Sequence, residues 1–282
     1  MNPYLIEGPA LISFSGGRTS AYMLYQIIQA HGGTLPDDVI VGFANTGKER
    51  KETLRFVHDC EAHWGVRVHW VEWRQGKPGF EHVGFNSASR DGEPFAELIT
   101  KKQRLPNWDE RWCTEHLKVM PLFALMRHQL ALEPGAYEEI IGLRYDEGMR
   151  IFKGMDKAAK AGRSVSYPLS KAKVTKSTIS EFWSKQPFFL DLEEWEGNCD
   201  LCFLKGKGIK KRILRDDHSL GDWWREQEQQ QEGTFDKRDS VADLIAQVKR
   251  APMFWDDFQE STNDSMDYDV ECGLHCAADD AA

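Results

Sequence analysis

The sequence predicts an α/β fold, an open parallel sheet with crossover helices, followed by a helical C-terminal region and an acidic tail. The main observation is that strand-like and helix-like segments alternate through the first half of the chain. The strand-like runs are Leu11–Ser15, Val39–Asn45, Val66–Trp73 and Glu139–Arg144. The helix-like runs are Thr19–Ala30, Lys51–Trp64 and Val119–Leu132. The polar stretch from about 76 to 112 is predicted to be an irregular excursion from the sheet.

Length and composition are those of a globular protein. The chain has 282 residues, of which 41% are hydrophobic, enough for one large domain or two small ones. No apolar run approaches the ~18–20 residues of a membrane span. The first residues lack the charged and apolar regions of a signal peptide. We therefore expect a cytoplasmic protein whose cysteines are mostly reduced.

The net charge of −9 is concentrated at one end of the chain. Residues 256–282 contain seven aspartates and two glutamates but no lysine or arginine, so the rest of the chain is electrically balanced. Such a tail is usually solvated, and the alternative is a flap that closes over a site. We predict three segments: an α/β domain at 1–190, a helical region at 191–250 and the acidic tail at 251–282.

The first strand-like run ends in a corner that has the composition of an anion site. Ser15, two glycines, Thr19 and Ser20 lie between a strand and a helix. Glycines allow close backbone approach, and the N–H groups of the loop and of the next helical turn point at negative charge. The alternative is an ordinary strand–turn–helix corner whose serine caps the helix.

The pattern S-G-G-x-x-S resembles the PP-loop of the adenine-nucleotide alpha-hydrolase superfamily. The resemblance implies a nucleotide-binding domain of that fold. It also implies that the loop binds the pyrophosphate or sulfo-phosphate end of an adenine nucleotide. Members that split ATP often carry Lys-Asp after the glycines, where this chain has Arg18 and Thr19. The implied nucleotide-binding residues here are Ser15, Gly16, Gly17, Arg18, Thr19 and Ser20.

Two further strand ends resemble parts of the same superfamily. Asn45, Thr46 and Gly47 follow the second strand-like run, and in sulfonucleotide reductases a similar loop helps to hold the adenosine part. The segment Gly142–Arg150 resembles the G-x-R-x-x-E-x-x-R segment of that family. Its Arg144 and Arg150 are suited to a bidentate grip on phosphate or sulfate. A plain strand–helix turn and a salt-bridged surface loop are the respective alternatives.

The six cysteines suggest metal or redox chemistry. Cys199 and Cys202 form a C-x-x-C pair, which needs ligands from elsewhere to complete a four-thiolate site. Cys113 is the best third ligand. Cys60 lies on an amphipathic helix-like run and is expected in the core.

The segment Cys113–Leu122 resembles the Cys-Cys-x-x-x-Lys-x-x-Pro-Leu segment of adenylylsulfate reductases that carry an iron–sulfur cluster. Lys118 falls on the lysine of that family, whereas Thr114 replaces the second cysteine. The resemblance implies an iron–sulfur cluster of the 4Fe–4S type, with Cys276 or Cys272 as the fourth ligand. Zinc is the rival occupant, because spacing alone cannot choose between them.

The tail ends in Glu271-Cys272-Gly273-Leu274-His275, which resembles the tail motif of assimilatory sulfonucleotide reductases. The resemblance implies that Cys272 attacks the sulfur of a bound sulfonucleotide. Cys276 is then a cluster ligand or a thiol that resolves the Cys272 adduct. The alternative is two tail cysteines without a role.

Together these motifs resemble the phosphoadenosine phosphosulfate reductase family in the broad sense. This implies an oxidoreductase that forms sulfite, with Cys272, Lys118, Arg144 and Arg150 in catalysis and a thioredoxin-like reductant. One alternative is an ATP-dependent enzyme of the same fold that installs sulfur on tRNA or DNA. Another is a non-catalytic nucleotide-binding accessory protein of a mobile element or defence system. The basic run Phe203–Arg215 is expected to be a solvated helix face, or else a surface for a small anion or nucleic acid.

Overall fold

The computed structural model describes residues 2–193 and 195–250, and it confirms the predicted α/β architecture. One six-stranded sheet has the order β4-β3-β2-β1-β5-β6. Its pairs are parallel except β3–β4, which is antiparallel. The strands are β1 Ala10–Ser13, β2 Val39–Asn45, β3 His69–Trp73, β4 Phe80–Val83, β5 Glu138–Ile141 and β6 Ser164–Ser166.

The helices form the crossovers and the C-terminal region. In the first part of the chain they are α1 Arg18–Ala30, α2 Lys51–Trp64, α3 Glu93–Lys102, the single turn α4 Trp112–Thr114 and α5 Met120–Leu130. The later helices are α6 Gly148–Lys160, α7 Pro168–Lys171, α8 Lys176–Trp183, α9 Lys207–Asp216, α10 Asp222–Gln230 and α11 Val241–Arg250. A π-helical turn, Glu115–Val119, joins α4 to α5, and 3₁₀ turns occupy Tyr145–Glu147 and His218–Gly221.

Both faces of the sheet are covered, as the continuous apolar composition of its central strands requires. Ala10 and Ile12 of β1 pack with α1 and α2 on one face, while Leu11 packs with α5 on the other. Because side chains alternate between the two faces of a strand, successive residues of β1 pack in two separate cores.

The excursion from 76 to 112 is more regular than we predicted. It contains β4, which extends the sheet at its edge, and α3. Helix α3 packs with α9, α10 and α11 in a third core around the fully buried Trp224. Short elements with few apolar residues give little periodicity, so the sequence pattern did not show them.

The basic run Phe203–Arg215 is not the solvated helix face that we expected. Lys205 and Lys210 are both buried. The Lys210 ammonium lies 2.6 Å from the carboxylate of Asp236, and Lys207 lies 2.9 Å from Asp239. Lys207 and Lys210 stabilise the helical region through these ion pairs, whose acids lie about 30 positions further along the chain.

The strand order places a topological switch point between β1 and β5. The parallel strands run outward from β1 to β2 and β3 on one side and to β5 and β6 on the other. Ligands of open α/β sheets bind outside the carboxyl ends of the strands at such a point. Within residues 2–193 and 195–250, no helix is both long and apolar enough to cross a membrane.

Candidate functional site

The glycine–serine loop lies at the carboxyl end of β1, directly at the switch point. Its hydroxyls bond to one another: Ser15 Oγ lies 2.8 Å from Ser20 Oγ. The Ser15 amide donates to Ser20 Oγ at 3.2 Å, and the Gly17 amide donates to Ser15 Oγ at 3.4 Å. Helix α1 starts at Arg18 with Gly17 as its N-cap residue, so the loop leads directly into the positive end of a 13-residue helix.

Gly16 allows this loop to pack closely against β2 and α2. Its φ is +79°, and an added Cβ would lie 2.8 Å from Cγ2 of Thr53 and 3.1 Å from the ring of Phe43. The loop therefore packs against β2 and α2 with no room for a side chain at this position. The buried hydroxyl of Thr53 has no hydrogen-bond partner among the described residues.

The carboxyl end of β5 brings Arg144 to the loop. Its guanidinium Nη1 lies 3.2 Å from Thr19 Oγ1, and its Nε lies 3.0 Å from Asp146. Arg150, on α6, is bonded to the carboxylate of Glu147, whose other oxygen accepts from the Arg144 amide at 2.9 Å. The predicted arginine pair is thus linked through Glu147, with the Arg144 side chain buried beside the loop.

Arg18 has a structural role in the fold. Its guanidinium donates to the carbonyls of Leu190 and Leu192, and its own carbonyl accepts from the Trp183 indole at 3.0 Å. These contacts fasten the segment after α8 to the start of α1.

The corner after β2 is closed by a hydrogen-bond network. The Asn45 amide donates to Glu72 at 2.6 Å and to the Ser89 carbonyl at 2.9 Å, while its oxygen accepts from the Gly47 amide at 3.1 Å. At Gly47 φ is +81°, and an added Cβ would meet Ser89 Oγ at 2.6 Å and Gly92 Cα at 2.9 Å. Asn45, Thr46 and Gly47 therefore form a rigid corner that contacts the excursion.

Glu49 connects this corner to the cysteines, and the sequence analysis did not identify it as a site residue. One carboxylate oxygen accepts from the Thr46 amide at 2.7 Å and from Thr46 Oγ1 at 2.8 Å. The other lies 3.2 Å from the Lys118 ammonium and 3.9 Å from Cys199 Sγ. The Glu49 side chain is fully buried, so its charge is balanced mainly by these donors.

The segment Asn198–Asp200 is fastened to both strand-end loops. The Asn198 side chain donates to the Ser15 carbonyl at 3.0 Å. Its backbone carbonyl accepts from the Arg50 amide at 2.7 Å, and the Asp200 amide donates to the Lys48 carbonyl at 2.9 Å. Glu49 and Cys199 form an antiparallel bridge between these two bonds. The C-x-x-C pair is therefore held against the glycine–serine loop and the β2 corner together.

Asp200 and its partners hold the other side of this segment. The Asp200 carboxylate lies 2.8 Å from the Lys48 ammonium and accepts from the Trp224 indole at 2.7 Å. Lys205 is buried and donates to the backbone carbonyls of Cys199 and Asp200. Burial lowers the Lys205 pKa, and the neighbouring thiols and carboxylate oppose that effect.

The structure brings three of the predicted metal ligands into one region. Burial, foremost, and then the charge of Cys202 raise the pKa of Cys113 to about 12, while Lys118 opposes this rise. Burial also raises the Cys199 pKa, with Lys118 lowering it and both Glu49 and Cys202 adding to the rise. Cys202 is therefore close enough to the other two thiols to influence their ionisation. Cys60 is buried in the core, as predicted.

These residues fit a thiolate-bound metal group in their chemistry. Three thiols share neighbours, and the ammonium groups of Lys118 and Lys205 would offset the negative charge of thiolates. Across residues 2–193 and 195–250, however, no three His, Cys, Asp or Glu side chains are arranged closely enough to hold a metal ion. The residue types therefore suit a metal group, but the described residues do not by themselves form a complete coordination geometry. Cys272 and Cys276 lie outside the described residues.

The loop at Ser15–Ser20, the Asn45–Gly47 corner, Arg144, Lys118 and three cysteines thus lie at one edge of the sheet. A separate cleft of about 280 Å³ lies at the opposite edge, by the amino ends of β2 and β3. It is lined by residues such as Pro36, Arg67 and His69. None of the site residues predicted from the sequence lines that cleft.

Fold and site together define an α/β protein whose glycine–serine loop, strand-end arginine and cysteines meet at a topological switch point. No family model matches the chain. An uncharacterized nin region protein of Escherichia phage lambda is 29% identical over 218 residues, which are 74% of this chain and 71% of that relative. An uncharacterized protein of Methanocaldococcus jannaschii is 33% identical over 117 residues, 42% of this chain but only 19% of that protein.

A solved structure gives a more distant likeness. It is a U34-tRNA thiolase of Methanococcus maripaludis with its 4Fe–4S cluster. The comparison covers 86% of this chain and 81% of that one, at 13% identity and a TM-score of 0.36. A likeness this distant adds no argument to those drawn from the geometry.

Proposed function

We propose that the protein binds an adenine nucleotide at the switch point, with the phosphate-bearing end in the Ser15–Ser20 loop. The observation that carries this proposal is the Arg144 guanidinium lying 3.2 Å from Thr19 Oγ1, in the first turn of α1. Fixed positive charge, a helix N-terminus and several hydroxyls then converge on one anion position. The PP-loop resemblance of this segment supports adenine as the base.

We propose sulfonucleotide reduction as the reaction, as in the phosphoadenosine phosphosulfate reductase family in the broad sense. The Cys272 thiolate attacks the sulfur of adenylylsulfate or its 3′-phosphate. An S–S bond forms, the S–O bond to the nucleotide phosphate breaks, and the adenine nucleotide leaves with the electron pair. A thioredoxin-like dithiol then reduces the protein-bound thiosulfonate, which releases sulfite and leaves the reductant as a disulfide. The Glu271–His275 motif supports this assignment.

The described residues have distinct roles in this scheme. Arg144 binds the sulfo-phosphate end, and Arg150 supports it through their common contact with Glu147. Lys118, ion-paired to Glu49, provides positive charge on the cysteine side of the site. Cys113, Cys199 and Cys202 would hold an iron–sulfur cluster or zinc, which when bound would supply electrophilic metal centres on the cysteine side of the site.

The second candidate is ATP-dependent sulfur insertion into a nucleic acid. The observation that favours it is the three-thiol region, with Thr114 in place of a fourth nearby cysteine. Cys113, Cys199 and Cys202 would hold a metal group by three thiolates, which would leave it an open position for sulfur. In this reaction ATP adenylates the accepting base and releases pyrophosphate before sulfur replaces AMP.

Mass spectrometry and nucleotide analysis separate the two reactions. Anaerobic protein is incubated with adenylylsulfate, with its 3′-phosphate, or with ATP and magnesium. Reduction predicts a sulfonate adduct on the wild-type protein and none on Cys272→Ser, which still binds the nucleotide. If neither sulfonucleotide modifies the protein while ATP yields AMP and pyrophosphate, the insertion reaction takes its place. Binding of a nucleotide without turnover would support the accessory-protein role.

Metal content provides an independent test of the cysteine site. Anaerobically purified protein should be brown and contain iron and acid-labile sulfide. Cys199→Ala and Cys202→Ala should lose that metal, whereas Cys60→Ala, which removes a buried core thiol, should retain it. Colourless protein with stoichiometric zinc would show that the iron–sulfur assignment is wrong.

A further inference from the structure

Helix α6 exposes large apolar side chains along one outward face. Met149, Phe152 and Met155 are 71%, 70% and 55% exposed, and Tyr145 in the preceding turn is 56% exposed. The three α6 residues are spaced by three positions, so they form one stripe on the helix surface. We call Met149, Phe152 and Met155 the α6 face. The inner side of α6 buries Gly154 and Ala158.

This concentration of exposed apolar residues is unusual within the described part of the chain. The remaining large apolar residues with high exposure there are scattered: Leu5, Trp108, Met120 and Phe189. Single exposed apolar residues need no explanation, whereas a contiguous exposed patch marks an interaction site. We therefore expect another segment or molecule to cover the α6 face.

The region around the α6 face is basic, although the protein is acidic. Residues 145–176 contain eight lysines and arginines against three aspartates and glutamates, and one of the eight, Arg163, forms a buried ion pair with an acid outside this range, Glu139. On α6 itself four basic residues, Arg150, Lys153, Lys157 and Lys160, stand against Asp156. The occupant should therefore combine apolar side chains with negative charge.

We propose that residues 252–260 of the same chain dock on the α6 face. This segment places Met253, Phe254, Trp255 and Phe258 within six positions, beside Asp256, Asp257 and Glu260. From residue 251 to the end the chain has no lysine or arginine. The apolar residues match the α6 face, and the acids match the basic residues around it.

Other occupants fit these observations less well. A second copy of the chain packing through the same face would bring two basic regions together, which repel each other. A nucleic-acid backbone would gain from the lysines, but the methionines offer it no phosphate contact, and Asp156 lies on the same side of the helix. The acidic, aromatic segment satisfies both the apolar and the charge requirement.

Docking at this place has a consequence for Cys272 that rests on the proposed function. Helix α6 follows directly after the Tyr145–Glu147 turn. Arg144, which precedes this turn, contacts Thr19 at the end of the glycine–serine loop. The 13 residues of α6 span about 20 Å. The twelve residues from Glu260 to Cys272 can extend over about 40 Å. A segment docked on α6 thus keeps Cys272 within reach of the arginine site.

Photo-cross-linking of the full chain tests the docking without any nucleotide. A benzoylphenylalanine is placed at Phe152, and a matched control carries it at Phe189, which is 62% exposed elsewhere on the surface. Trypsin releases residues 251–282 as one peptide, because no lysine or arginine follows Arg250. We expect this peptide to be cross-linked to the Phe152 peptide in monomeric protein, and not to the Phe189 peptide.

Substitutions in the tail test whether the contact between residues 252–260 and the α6 face is specific. Trp255→Ser with Phe258→Ser should lower the cross-link yield about fivefold or more, because aromatic anchors dominate such contacts. The control, Asp279→Asn with Asp280→Asn, should leave it unchanged. Cross-links to a second chain, to co-purified nucleic acid, equally from Phe189, or none at all would overturn the proposal. Nucleotide binding is measured separately on the same proteins, so its failure is distinguishable from failure of the docking.

Discussion

Gly16 lies in the left-handed region with φ +79°, where a side chain is both strained and without space. Its added Cβ would approach Thr53 to 2.8 Å. Gly8 has a similar φ of +88°, but nothing lies within 4 Å of its added Cβ. Gly16 therefore has both restrictions, whereas Gly8 has the backbone restriction alone.

We predict that Gly16→Ala destabilises the protein more than Gly8→Ala. The shared backbone strain costs about 1–2 kcal/mol, and overpacking against Thr53 adds about 1–3 kcal/mol at Gly16 only. Urea unfolding of both variants measures the difference, and calorimetric titration with nucleotide shows whether Gly16→Ala also weakens binding. Equal unfolding free energies would mean that the loop yields around the new methyl group.

Glu49 and Asn198 show which site residues a sequence pattern misses. Ser15–Ser20, Asn45–Gly47 and Arg144 were predictable because each follows a strand-like run, and the ends of parallel strands meet at one edge of a sheet. Glu49 looks like an ordinary acid near a helix start, where it complements the helix dipole. Asn198 contacts a residue 183 positions earlier in the chain. Only the folded arrangement of α2, β1 and the C-x-x-C segment gives these two residues their role.

At the scale of elements, the sequence predicted strands β1, β2, β3 and β5 and the first helices. It did not predict the antiparallel edge strand β4 or the third core. Strand β2 and helix α2 have the predicted bounds, because a continuous apolar run and a strong helical period mark them. Strand β4 has two exposed residues in four, and its identity depends on pairing with β3. Tertiary contacts decide such short elements more than local sequence does.

The segment Asn198–Asp200 couples two other elements, the glycine–serine loop and the β2 corner. We predict that Asn198→Ala weakens nucleotide binding several-fold, because removing a buried hydrogen-bonding partner costs about 1–3 kcal/mol and leaves the Ser15 carbonyl without its donor. The same change should speed alkylation of Cys199 and Cys202, since their segment loses its tie to the loop. Titration calorimetry and peptide mass spectrometry measure the two effects.

Asn107→Ala is the matched control for this coupling. The Asn107 side chain likewise forms hydrogen bonds with the backbone, but as an acceptor from the amides of Asp109 and Glu110, in a turn away from the glycine–serine loop. It should leave nucleotide affinity and cysteine alkylation unchanged. A loss of affinity in Asn198→Ala without faster alkylation would show that the loop depends on Asn198 while the cysteines are held by the backbone bridge alone.

The stability of the whole molecule should depend on His69, at the start of β3. Burial, foremost, together with the positive charge of Arg67 and of His82, lowers the His69 pKa from about 6.5 to about 4. Burial, foremost, and then the charge of His128, whose ring centroid lies 5.8 Å from that of His82, lower the pKa of His82 as well. The native state therefore holds His69 neutral under conditions in which the unfolded chain binds a proton there.

We predict that His69→Gln flattens the loss of stability between pH 6.5 and pH 4. A depressed histidine pKa means that the unfolded state binds more protons in this window, so the unfolding free energy falls as the pH falls through it. Two to three pKa units at about 1.4 kcal/mol each correspond to roughly 3 kcal/mol that the wild type loses and the variant does not.

Urea unfolding at pH 7 and pH 4.5 measures this difference, with His218→Gln, an exposed histidine, as the control. Parallel pH profiles for wild type and His69→Gln would assign the acid sensitivity in this window to groups other than His69. Asp236 acts below the window. Burial alone would raise the pKa of that carboxyl, but hydrogen bonds from Arg238 and Lys210 hold it well below its usual range, so its contribution is lost at lower pH than that of His69.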